Sequence, residues 1–102
     1  MYTYNITIKV ANNIAPQWLG WMHTKHIPAV MASNCFTSYK IMQLLQPTDA
    51  EGPTYIVQYF CNSLTHYDNY NANFAEKLKQ ESYTKWGNGF IAFKTLMVNI
   101  NS

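Results

Sequence analysis

The sequence predicts an α+β domain whose elements run β-α-β-β-α-β along all 102 residues. Three observations carry that expectation. Residues 2–10 alternate polar and apolar side chains with a period of two. Two stretches, 17–32 and 65–86, repeat apolar residues at helical spacing. Between them lie two apolar runs joined by a segment rich in Pro, Gly and acids. A chain of this length holds one domain, 1–102. Its 48% hydrophobic and 16% aromatic content supplies a core and excludes a disordered chain.

The first strand places Tyr2, Tyr4, Ile6, Ile8 and Val10 on one face and Thr3, Asn5, Thr7 and Lys9 on the other. Asn12-Asn13 ends it, and Pro16 suits the first turn of a helix. From Gln17 to Ala32, Trp18, Leu19, Met22, His26, Ala29 and Val30 share a stripe at about 100° per residue. Pro28 lacks an N–H and meets the carbonyl of Thr24, so a kink or break is expected there. Phe36 to Gln46 reads as a second strand, Pro47 to Pro53 as a turn, and Tyr55 to Phe60 as a third strand, together a hairpin. Thr65 and Asp68 resemble a capping box for a helix whose stripe is Tyr67, Asn71, Phe74, Ala75, Leu78 and Ser82. Trp86-Gly87-Asn88-Gly89 ends that helix, and Phe90 to Ile100 is the last strand. This order is the ferredoxin-like unit, a four-stranded antiparallel sheet with two helices on one face.

In the usual strand order of that unit the first strand lies between the third and fourth. Tyr4, Ile6 and Ile8 then face the helices with Tyr55, Val57 and Tyr59, and Ile91, Phe93 and Met97 are assigned to the same layer. The opposite face receives Thr3, Asn5, Thr7, Lys9, Ile56, Gln58, Phe60, Phe90, Ala92, Lys94, Leu96 and Val98. That face is apolar enough to call for a cover, and a second copy packed sheet to sheet supplies one. The expected partner is thus a homodimer through the sheet face, against the alternative of a solvated face with scattered apolar residues.

Charge narrows the function classes. The net charge is +2, from seven Lys and no Arg. Arg is the commonest reader of bases and phosphates, so no nucleic-acid partner is expected. No apolar run reaches 18 residues, so no membrane partner is expected either. Nothing resembles a signal peptide, which makes the cytoplasm the default compartment, and Cys35 and Cys61 read as free thiols.

His26 is the candidate catalytic residue, because burial or a partner tunes an imidazole for acid/base work. The competing role is a core histidine whose ring nitrogens bond a Tyr hydroxyl or the Thr24 carbonyl. Trp21 is rotated about 100° off the stripe centre and reads as a pocket edge or an interface residue. The candidate ligand-binding residues are Trp21, Met22, Tyr59 and Trp86, with Asn5 and Gln58 as polar contacts. His23 and His26 diverge by about 60° on a helix and have no third ligand, so no metal site is expected. No cofactor motif is present. Lys94 either anchors an anion or extends to a sheet edge.

An ordered set of residues resembles a known family. It comprises Tyr4-Asn5-Ile6-Thr7, Trp18-Leu19-x-Trp21-Met22, His26-Ile27-Pro28-x-Val30-Met31, Phe36, and Gly52-Pro53-Thr54-Tyr55-x-Val57-Gln58-Tyr59-Phe60. Trp86-Gly87-x-x-Phe90-Ile91-Ala92-Phe93 and Leu96-Met97 complete it. The set is similar to the family catalogued as domain of unknown function four-two-eight-six, small uncharacterised proteins typical of Bacteroides-like gut bacteria. The departures are Phe74-Ala75-Glu76-Lys77-Leu78, where a His-Ala-Pro-like segment is expected, and Lys94 in place of Arg. The resemblance implies the dimeric α+β barrel variant of the ferredoxin-like fold and no particular activity. Three functions stay open at this point. The first is a homodimer binding a small aromatic or apolar ligand between helices and sheet. The second is a cofactor-independent enzyme, monooxygenase or isomerase-like, using His26. The third is a structural or regulatory dimer without ligand.

Overall fold

Alternation makes Tyr2–Val10 a strand, β1, and pairing places it at the centre of the sheet. The computed structural model describes residues 1–101. β1 is followed by α1 (Ala15–Trp21), a wide π turn (Met22–His26) and α2 (Ile27–Met31). Then come β2 (Ser38–Gln43), β3 (Thr54–Cys61), α3 (Leu64–Asn73), α4 (Ala75–Trp86) and β4 (Phe90–Val98). The strand order is β2-β3-β1-β4, every pair antiparallel, which is the ferredoxin-like sheet.

One face of the sheet carries the core. Trp18 stacks on Tyr55 at 5.3 Å, Phe36 packs against Tyr59 at 5.2 Å and Tyr70 at 5.0 Å, and Tyr4 meets Tyr67 edge-on at 5.3 Å. Aromatic pairs at such separations add to what area burial alone supplies. Cys35 and Cys61 are buried and unbridged. The tip of the β2–β3 hairpin is tied back onto the end of β1. Lys9 forms an ion pair with Asp49, Asn12 Nδ2 donates to the Ala50 carbonyl at 2.8 Å, and Val10 N donates to the Pro53 carbonyl at 3.0 Å.

Four expectations are corrected. The second strand is shorter than 36–46, and Phe36 enters the core ahead of it. The helix cap is Ser63, whose hydroxyl accepts from His66 N at 3.4 Å, rather than Thr65. The second helix divides at Phe74, whose φ of −128° leaves the helical region. Asn is a weak helix former, and Asn73 Nδ2 here donates to the Asn69 carbonyl at 3.2 Å, competing with the backbone ladder. The fourth correction concerns β4. Ala11 N donates to the Gly89 carbonyl at 2.9 Å, and Phe90 pairs with Val10, Ala92 with Ile8, Lys94 with Ile6 and Leu96 with Tyr4. Phe90, Ala92, Lys94, Leu96 and Val98 therefore share the helix-side face, while Ile91, Phe93 and Met97 lie on the open face. Both alternating sets of this strand are apolar, so its pattern carries no face, and the pairing register decides it.

The open face pairs Asn5 with Gln58, whose Nε2 donates to Asn5 Oδ1 at 3.1 Å. Around them Phe93 and Ile91 are 64% and 57% exposed.

Two glycines give opposite predictions. At Gly52 a Cβ would lie 1.8 Å from the Val10 carbonyl oxygen, whereas at Gly20, on the exposed side of α1, nothing lies within 4 Å. Gly52→Ala is expected to cost roughly 1–3 kcal/mol. Gly20→Ala is expected to gain about 0.5–1 kcal/mol through helix propensity. Thermal melts of the two variants check the pair: Tm falls in the first and rises in the second.

Candidate functional site

The site begins with Pro28. In a continuous α-helix its ring would meet the Thr24 carbonyl, and it has no N–H to give. The chain answers with the wide turn Met22–His26, closed by Ile27 N donating to the Met22 carbonyl, five residues back. Pro28 then stands in the first turn of α2, where the missing N–H costs nothing. The widening changes which side chains meet. In an α-helix Trp21 and His26 would point roughly 140° apart. Here their rings lie 5.0 Å apart at 31°, and Trp86 meets Trp21 edge-on at 5.9 Å.

A cavity of about 400 Å³ lies between these helices and the sheet. Trp18, Trp21, Met22 and His26 line it from the first helical stretch, Tyr4, Ile6 and Ile8 from β1, and Phe90, Ala92 and Lys94 from β4. α4 contributes Leu78, Lys79, Ser82 and Tyr83. Tyr83 stacks on Phe90 at 5.1 Å, and the Ser82 hydroxyl donates to the Leu78 carbonyl at 3.2 Å. The walls are thus chiefly apolar and aromatic, with the imidazole, two ammonium groups and the tyrosine and serine hydroxyls as their polar members.

The residues singled out in the sequence separate into two groups. Trp21, Met22 and His26 come together on the cavity wall. Tyr59 is wholly buried beside Phe36 and Tyr4, its hydroxyl without a hydrogen-bond partner. Trp86 stands behind Trp21, with Lys85 Nζ 5.2 Å above its ring and its Nε1 buried and unpartnered. Asn5 and Gln58 lie on the far face of the sheet, bonded to each other. The correction follows from register: neither amide lines the cavity. Lys94 moves the other way, onto the cavity wall. The sequence does not mark Lys79 and Tyr83, because on an averaged helical stripe they fall outside the buried side.

His26 is largely withdrawn from solvent, and its Nδ1 is buried with no hydrogen-bond partner. Neither the Thr24 carbonyl nor a Tyr hydroxyl bonds that nitrogen; the Thr24 hydroxyl itself donates to the Gly20 carbonyl at 2.9 Å. Burial, and next the positive charge of Lys94, hold the His26 pKa down to about 4. The ring is therefore neutral at pH 7. Among the described residues, no group of three or more His, Cys, Asp or Glu side chains could hold a metal ion. No helix among them is long and apolar enough to cross a membrane.

The pKa shift fixes a stability profile. The folded pKa of about 4 lies below the unfolded value near 6.5, so the unfolded chain binds the extra proton between those values. Stability from the neutral ring is complete above pH 6.5 and declines as pH falls toward 4, by roughly 3 kcal/mol. Urea unfolding from pH 7 to 4.5 is expected to show that decline in the wild type and a flatter profile in His26→Gln. Parallel profiles in the two proteins would remove His26 as the source.

Similarity to known proteins follows the same architecture. A dimeric ferredoxin-like protein from an uncultured marine organism superposes with a TM-score of 0.79 at 7% identity, covering 99% of this chain and 96% of that one. An ethyl tert-butyl ether D (EthD) family protein from Bacillus halodurans gives 0.69 at 8% identity, covering 98% and 100%. A MhuD mutant with two manganese protoporphyrin IX molecules bound per active site gives 0.65 at 14% identity, covering 100% and 97%. At these identities the likeness shows the fold. No curated protein matches the sequence. The family model described as Domain of unknown function (DUF4286) matches residues 1–100, and the chain belongs to that family.

Proposed function

We propose that the protein is a homodimer that binds a small aromatic or apolar ligand between its helices and its sheet. The observation that carries this reading is the cavity of about 400 Å³ walled by Trp18, Trp21, Met22 and Phe90, with a neutral imidazole beside it. A purely structural domain gains stability by filling such a space, since unfilled apolar volume costs dispersion contacts and transfer energy.

The dimer rests on the open face of the sheet. Ile91, Phe93 and Met97 form an apolar strip there on β4, and Ile56, Phe60 and Met42 lie on the other side of β1, whose Thr3, Asn5 and Thr7 run between. Packing two such faces aligns the Asn5–Gln58 pair of each copy at the centre, where amides bond across the interface or with each other. Structural neighbours carry the description dimeric, which supports a homodimer but not a particular face.

A catalytic role for His26 is the weaker reading. A general base works best with a pKa near the operating pH, and a ring held near 4 is a poor proton acceptor at pH 7. The same ring is well suited to a neutral hydrogen-bonding role toward a ligand.

Native mass spectrometry of gently purified protein tests both parts. A dimer is expected, carrying a small-molecule mass that is missing from Ala92→Trp, in which an indole fills the cavity. A wild type that is bare and that takes up neither added 2-naphthamide nor added 2-naphthoate overturns ligand binding. Phe93→Asp is expected to yield a folded monomer; an unchanged dimer would place the interface elsewhere.

A further inference from the structure

The cavity wall holds two positive charges and no negative one. Lys94 projects from β4 between Ala92 and Leu96, opposite Ile6, so apolar neighbours flank its ammonium stem. Lys79 approaches from α4 on the other wall. No carboxylate lines the space. Among the described residues, ion pairs within 4 Å involve Lys9 alone among the lysines, so Lys79 and Lys94 have no such partner. Glu76 is near enough to act on Lys94, but its carboxylate accepts from Gln80 Nε2 at 3.0 Å along the helix surface.

An ammonium held beside apolar walls is less well solvated than one in open water, and a second cation nearby adds to the cost. The balance is visible at Lys94. Burial first, and then the charge of Lys79, lower its pKa, while Glu76 opposes them with a smaller effect. His26 adds no charge at neutral pH and offers a ring N–H or a lone pair. The site therefore lacks one component, a negative charge delivered together with an apolar body.

We propose that the cavity selects an anionic ligand, a small aromatic carboxylate whose ring lies against Trp21 and Met22 and whose carboxylate sits between Lys79 and Lys94. This inference rests on the ligand-binding reading above and names its substrate class. It also accounts for a lysine in the middle of an otherwise apolar strand face.

The test compares 2-naphthoate with 2-naphthamide, which share a ring and differ in charge, by calorimetry and by quenching of tryptophan fluorescence. At low ionic strength the carboxylate is expected to bind roughly tenfold or more tightly than the amide. The preference should shrink as salt is raised. Lys94→Met should abolish the preference by weakening binding of 2-naphthoate to the level of the amide. Lys79→Gln, on the exposed side of α4, should reduce it and serves equally well if Lys94→Met fails to fold. Equal binding of the two compounds overturns the anionic class and leaves the cavity a neutral binding site. A preference that survives both substitutions overturns the role of these lysines. Binding of neither compound overturns the ligand-binding reading itself.

Discussion

The arrangement of the site depends on one steric conflict. A proline ring at position 28 cannot share a regular helical turn with the Thr24 carbonyl. Relief comes as a turn that carries an extra residue, and every consequence of that turn is local and geometric. It rotates Trp21 toward the side of the helix that bears His26, and it places both beside the sheet. Trp86 then closes the cluster from α4. Without the widening, the indole and the imidazole would diverge, and the cavity would lose part of its wall. The residue that breaks the helix lies on the exposed surface, yet it decides which rings meet inside.

The second constraint is the register of β4 against β1. Once Phe90 sits opposite Val10, every later residue of the strand is committed to a face. Lys94 is brought to the helix-side face, at the cavity wall, and Phe93 and Ile91 are sent out to the open side. The same pairing therefore supplies a cation to the cavity and apolar surface to the sheet exterior. These features look unrelated along the chain, but they are alternate side chains of one strand.

How much of this was legible depended on whether the residue pattern was one-sided. β1 has polar and apolar residues in strict alternation, and its face was assigned correctly from the sequence. β4 has apolar residues at both sets of positions, so the pattern does not fix its face, and the structure puts Lys94 on the side opposite to the one expected. The break at Pro28 was legible from proline chemistry, but its form was not, because periodicity at about 100° per residue presumes an uninterrupted α-helix. On that premise Trp21 falls off the buried stripe. The division at Phe74 was masked by good helix formers downstream, such as Ala75, Glu76 and Lys77, which smooth the Asn-rich weakness before it. Of the site, Met22, His26 and Trp21 were recognisable because their residue types are unusual together. Lys79 and Tyr83 look like ordinary solvent-facing helix residues.

The central position of β1 also bears on how the chain acquires its structure. Its two neighbours come from distant parts of the sequence, Cys61 and Val98 both pairing with Tyr2. Such partners are joined only after long segments have been gathered, and the entropy of that closure slows the search. On a ribosome the hairpin of β2 and β3 emerges and pairs with β1 first. The other side of β1 waits for Phe90–Val98, the fourth strand of the sheet. During that interval Tyr4, Ile6 and Ile8 have an open strand edge beside them, a template for any extended apolar peptide nearby. A nascent chain of this protein is thus most vulnerable to mispairing after β3 is made and before β4 is, and the apolar strand that ends the exposure is also the one that adds Lys94 to the cavity.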